Sequence, residues 1–189
     1  MLRSALAALA LTVAATFTAR ADDDNPLKNV KVGDFTTYTS TLKQGKFSSP
    51  GTMTQTVTAK TENQVTIKTS GSRELSGVKY DLPPTELKID TTKPFDPQKF
   101  ADFPFGADPK LEKIKEGKEK IKVNGKEYDC TWVSYSLKAK LPGGELNSQI
   151  KVWTSKDVPM GTVKMTMIGM PSGEKDEMMM ELKEAGNKK

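Results

Sequence analysis

Period-two alternation constrains this chain more than any other feature. From Thr52 to Lys60 threonine recurs at every second position through Thr58, with Met53, Gln55, Val57 and Ala59 between. Only an extended backbone puts the threonines on one face and the other set on the opposite face. Eighteen threonines after residue 21, with many valines and isoleucines, suit such a pleated, half-buried surface.

The same reading places further strands. Asp34–Leu42 and Gln64–Thr69 flank the first run, with Thr61-Glu62-Asn63 as a hairpin-length connection. Gly77–Asp90 carries Val78, Tyr80, Leu87 and Ile89 around Pro83-Pro84. Lys118–Val123 leads into Asn124-Gly125, a two-residue turn whose central positions both want positive φ, and Lys126–Lys138 returns. There the apolar phase shifts from Tyr128, Cys130 and Trp132 to Val133, Tyr135 and Leu137. Either a bulge near Trp132 and Val133 or a stretch apolar on both faces produces that shift. Leu146–Ser155 and Thr162–Ile168 follow, and Glu174–Glu184 places Met178, Met180 and Leu182 at period two. Helix competes with strand for this last run and for Pro109–Lys115. The expected fold is mainly β: an antiparallel meander forming a strongly curved sheet or incomplete barrel, with at most short helices, as one domain over residues 22–189.

Thr91–Pro109 is expected to be a long loop. Its prolines at 94, 97, 104 and 109 exclude central strands, and Phe95, Phe100, Phe103 and Phe105 are its anchors. Those phenylalanines either plug one end of the core or cover a ligand.

The N-terminus reads as a secretory signal: Arg3, an apolar stretch from Leu6 to Phe17, and small residues at Ala19 and Ala21, with cleavage expected after Ala21. The apolar stretch is too short to span a bilayer, no later segment approaches a transmembrane length, and the expected location is periplasmic or secreted. Asp22-Asp23-Asp24 would then be a solvated start, since three adjacent carboxylates lack the spacing of a calcium loop. The net charge falls from +5 to +3 once Arg3 and Arg20 leave with the signal.

Composition removes several function classes. There is no histidine, so Ser-His-Asp and Cys-His catalysis and His-ligated metals are unavailable. Cys130 is the sole cysteine; on an apolar strand face it is expected to be a small buried hydrophobe, with intermolecular pairing as the alternative. Twenty-six lysines stand against Arg73 alone in the mature chain, and the lysines from 110 to 126 are interleaved with Glu112, Glu116 and Glu119. Specific nucleic-acid recognition favours arginine, so no nucleic-acid partner is expected, and the lysines read as solvated faces and protected edges.

Methionines 160, 165, 167, 170, 178, 179 and 180 crowd the C-terminal region. Core packing explains their period-two spacing; an adaptable ligand wall and a Cu(I) site are the alternatives. Asp81, Glu86, Asp90, Asp96, Asp102 and Asp108 gather around the proline-rich segment, which leaves a carboxylate hydrolase open, although nothing in their spacing pairs them. No nucleophile, base and oxyanion donor can be assembled, and no cofactor or metal is expected. The leading expectation is an exported, non-enzymatic envelope protein that binds a hydrophobic or lipid-like ligand through Phe95, Phe100, Phe103, Phe105, Trp132, Trp153, Met165 and Met167. A structural or protein-interaction module, with an envelope protein as its partner, is the alternative.

Val123-Asn124-Gly125-Lys126-Glu127-Tyr128-Asp129-Cys130, with Lys151 through Met165, resembles a pattern of uncharacterised exported bacterial proteins: a strand ending in Trp153-Thr154-Ser155, then Asp157-Val158-Pro159, Gly161 and another strand. It is also similar to parts of the periplasmic lipoprotein-carrier-like fold. The resemblance implies an incomplete barrel whose concave apolar face, closed by helices or loops, can hold acyl chains.

Overall fold

The structure is a computed structural model that describes residues 25–93, 107–141, 144–170 and 173–188. A short 3-10 turn over Pro26–Asn29 precedes nine strands: β1 (Asp34–Gln44), β2 (Phe47–Lys60), β3 (Gln64–Leu75), β4 (Val78–Asp90), β5 (Ala107–Val123), β6 (Lys126–Leu141), β7 (Gly144–Thr154), β8 (Thr162–Met170) and β9 (Gly173–Asn187). All neighbours pair antiparallel, in the spatial order β4-β3-β2-β1-β9-β8-β7-β6-β5. Two meanders, β1–β4 and β5–β9, are thus joined where β1 meets β9. The consecutive strands β4 and β5 lie at opposite edges, and the curved sheet is not closed into a barrel.

Local chemistry accounts for the turns. Asn124 and Gly125 sit at φ 50° and 80°, the left-handed pair that this hairpin requires. Ser76-Gly77 makes the same turn between β3 and β4 at 53° and 80°.

The edges explain where proline is tolerated. Pro83 and Pro84 lie within β4, opposite a register shift between Thr69 and Gly71 of β3. An edge strand has one side with no ladder to donate to, so a missing N–H costs least there. The same holds for Pro109. The expected loop over 91–109 is therefore too long: residues 107–109 belong to β5, the other edge. β5 also settles Pro109–Lys115 as strand, and β9 settles 174–184 likewise. Tertiary pairing overrides the helix propensity of their lysines and glutamates. The lysine-rich β5 is the charged edge that discourages sheet-to-sheet association.

The register of β6 runs unbroken through Trp132 and Val133 against both neighbours. The bulge lies instead in β5, where Ile114 is the extra residue between Lys113, opposite Tyr135, and Lys115, opposite Ser134. β6 is therefore apolar on both faces where its phase changes. Beyond Thr131 it leaves β7 and pairs with β5 only, and this extended tip folds back on the sheet: the Asn124 side-chain amide donates to the carbonyls of Leu182 (3.2 Å) and Lys183 (2.8 Å).

One inner row crosses all nine strands: Tyr80, Arg73, Gly51, Ser40, Met180, Met165, Val152, Val133 and Glu116. Its central part belongs to the main core, with Tyr38, Leu42, Met53, Tyr135, Leu137, Ile150, Met167, Met178 and Leu182. A second cluster closes one end. Val57, Val65, Ile67 and Ile89 of β2–β4 are capped there by Leu27 and Val30 from the N-terminal segment and by Met160 from the β7–β8 loop. That loop is held by Ser155 N–H to Gly161 C=O and Gly161 N–H to Val158 C=O, each 2.8 Å. The Asp157-Val158-Pro159-Met160-Gly161 motif is thus a turn that delivers an end plug.

Candidate functional site

The inner face is the wall a ligand would meet. Met165 pairs with Met180 across β8 and β9, and Met167 with Met178, so four thioethers form a block in the middle of it. All four are buried in the main core beside Ile150 and Val152. Packing accounts for the methionine spacing, as period two requires. Tyr38 lies on the same face and donates its hydroxyl to the Thr162 carbonyl (3.3 Å). Burial pushes its pKa up to about 12, and that of Tyr135 also to about 12, so both stay neutral donors.

Trp132 and Trp153 are cross-strand partners, but on the opposite face of the sheet from Met165 and Met167. The Lys151 ammonium sits between them, 4.1 Å from the ring centre of Trp132 and 4.3 Å from that of Trp153. Each contact is worth on the order of 0.5–1 kcal/mol at such a site. Trp153 donates its indole N–H to Glu119, which also pairs with Lys151 (3.3 Å). That indole bond first, and the lysine beside it, hold the Glu119 carboxyl below its usual range. Lys164 and Glu181 extend the cluster at 2.6 Å. The Trp132 ring lies over Gly117, where a side chain would collide with it. Of the eight expected ligand residues, Met165 and Met167 share the inner face, Trp132 and Trp153 form an outer clamp filled by Lys151, and Phe95, Phe100, Phe103 and Phe105 lie outside the described residues.

A groove of about 1050 Å³ opens between the N-terminal segment, the β5–β6 hairpin and the β7–β8 loop. Its walls mix Lys118, Lys120 and Lys156 with Glu119, Asp129 and Asp157, and Cys130 is part of the lining. The Cys130 side chain is itself buried. Burial, then Glu119 and Asp129, raise its thiol to about 11. Thiolate is the reactive form, so alkylation of the folded protein by iodoacetamide is expected to be negligible at pH 8 and fast after unfolding in guanidinium. Mass spectrometry reads the difference, and rapid labelling of folded protein at pH 8 would contradict the assignment.

Of the carboxylates around the proline-rich segment, the side chains of Asp81, Glu86 and Asp90 are among the described residues. Asp90 accepts from the Thr92 N–H (2.9 Å) and hydroxyl (2.5 Å), and these bonds with Lys93 hold it down to about 2. It serves its own turn. Asp81 and Glu86 lie on β4, and Asp96, Asp102 and the Asp108 side chain lie outside the described residues. Among the described residues no three His, Cys, Asp or Glu gather as metal ligands.

A polar group that the pattern did not single out lies in the inner row. Arg73 is 1% exposed, its only bond a long one from Nη1 to the Ser49 carbonyl (3.4 Å). Its Nε and Nη2, both polar atoms of the Gln55 amide and the Ser40 hydroxyl have no partner. The available signal was compositional: Arg73 is the one arginine among 26 lysines of the mature chain.

No protein-family model matches the chain, and no curated protein matches it in sequence. Among solved structures it is similar to a candidate lipoprotein from Parabacteroides distasonis, with TM-score 0.54 and 11% identity over 88% of this chain and 100% of that one. It is also similar to a candidate exported protein with a YmcC-like fold from Bacteroides fragilis, with TM-score 0.52 and 10% identity over 84% and 97%. A candidate outer-membrane lipoprotein-sorting domain from Vibrio parahaemolyticus aligns with a TM-score of 0.36 and 11% identity over 82% of this chain and 85% of that one. At these identities the first two matches establish a shared curved-sheet fold.

Proposed function

We propose that the protein is an exported, non-enzymatic envelope component that holds a hydrophobic or lipid-like ligand against the inner face of its sheet. The observation that carries this reading is the unclosed sheet: its edge strands β4 and β5 do not pair, its inner face is lined by buried apolar side chains, and one end is plugged by Leu27, Val30 and Met160. The methionines of that face are buried in the core, and a sheet with two free edges can widen to admit a chain among them. Methionine suits such a wall, because its flexible thioether repacks around different shapes. The signal-like N-terminus supports export, as does the fold shared with a candidate exported protein and a candidate lipoprotein. No helix of the described residues is long and apolar enough to cross a membrane.

Native mass spectrometry of protein purified from the periplasm tests the reading. The expected result is a 1:1 adduct in the mass range of an acyl lipid, with saturable binding of a fluorescent fatty acid after delipidation. Apo protein alone, with no fluorescent-lipid binding, would overturn it. The β4 edge favours a second reading, a protein-interaction module, since Val78 and Tyr80 are 53% and 50% exposed there. A partner that requires both residues and no lipid adduct would select it.

A further inference from the structure

Arg73 is the group that the fold has not accounted for. A guanidinium carries five N–H donors and stays charged, and burying it without a counter-charge is among the least favourable placements in a protein core. Burial holds its pKa below the usual range. Gly51 lies between Arg73 and Ser40 in the inner row and places no side chain there; a Cβ on it would come within 2.9 Å of the Ser40 hydroxyl. The guanidinium Nε and Nη2 and the Ser40 hydroxyl, buried on either side of Gly51 and without partners, point to one missing species: an oxyanion. Met180 and Met165 continue the same row, so the polar cradle runs directly into the apolar wall.

We propose that Arg73, with Ser40, binds the anionic head group of an amphiphile, a carboxylate or phosphate, whose tail lies along the methionine wall. The proposal rests on the ligand reading above and sharpens it from a hydrophobic molecule to an anionic amphiphile. Asp176 is also buried, with Oδ2 unpartnered, on β9 one inner position beyond Met178.

The test uses the delipidated full chain and four probes: laurate, dodecyl phosphate, dodecanol and inorganic phosphate, each titrated by calorimetry. Laurate and dodecyl phosphate are expected to bind at least tenfold more tightly than dodecanol, with inorganic phosphate not measurable. Arg73→Met is expected to erase the charged-over-neutral preference and leave dodecanol binding in place. Arg73→Lys, which keeps the charge but loses the fork, is expected to retain part of the preference. If no amphiphile binds, the ligand reading itself fails. If amphiphiles bind but wild type does not discriminate charged from neutral, or Arg73→Met discriminates as wild type does, the head-group proposal alone fails. Inorganic phosphate binding as tightly as dodecyl phosphate would make this a free-anion site and also overturn it. Should Arg73→Met fail to fold, the wild-type ratio and Arg73→Lys still decide.

Discussion

Gly71→Ala is expected to lower the melting temperature by about 10 °C, from a loss of about 3 kcal/mol. A Cβ at Gly71 would collide with the carbonyl oxygen of Thr52 and approach Met53 Cα to 3.3 Å. The obstacle is backbone of the paired strand β2, which cannot rotate away as a side chain can. Relief requires β2 and β3 to separate in the region where β3 already shifts register between Thr69 and Gly71 against β4. Thermal unfolding followed by circular dichroism measures the shift. A change below about 2 °C would mean that the strands are not so closely apposed. Gly45→Ala is a useful contrast: no atom lies within 4 Å of its added Cβ, and its cost comes from a φ of +59° alone.

Trp153→Ala is expected to cost about 3–5 kcal/mol, the usual range for truncating a buried aromatic ring. The indole is 7% exposed, packs in the main core, carries Lys151 on its face and donates to Glu119. Urea unfolding at neutral pH measures the loss. A second signature separates the packing from the hydrogen bond. The depressed Glu119 carboxyl contributes stability that is present above its unfolded-state pKa and lost as pH falls through its folded value. Trp153→Phe restores most of the ring but not the N–H, so Glu119 should titrate nearer its ordinary value and the acid limb of the stability curve should flatten. An unchanged acid limb in Trp153→Phe would show that Lys151, not the indole, holds Glu119 down.

How much was legible depended on the range of the interaction. The Asn124-Gly125 hairpin and the alternation at Thr52–Lys60 are local, and they appear in the fold as the pattern implied. The curved, mainly β architecture followed from their repetition. Residues 109–115 and 174–184 stayed open between helix and strand, because lysine and glutamate suit either and only pairing with distant strands decides. The phase change in β6 was visible, but its cause was not, since the bulge at Ile114 belongs to the partner strand. Grouping Trp132 and Trp153 with Met165 and Met167 treated aromatic and thioether residues as one wall. Parity within β7 separates them: Val152 faces in, so Trp153 faces out. Arg73 was counted but not located, because a lone arginine gives no local sign of being buried without a partner.

The seam where β1 meets β9 also bears on how the chain reaches this fold. Each meander closes through neighbours in sequence, but Asp34 faces Asn187 across that seam, the widest separation of any strand pair. Loop-closure entropy makes such a contact late, and the rate of folding is governed by the most distant pairings. The central ladder cannot form until β9 has been synthesised. The two halves, 25–93 and 107–188, meet across this one ladder and should therefore reassociate as separately expressed fragments.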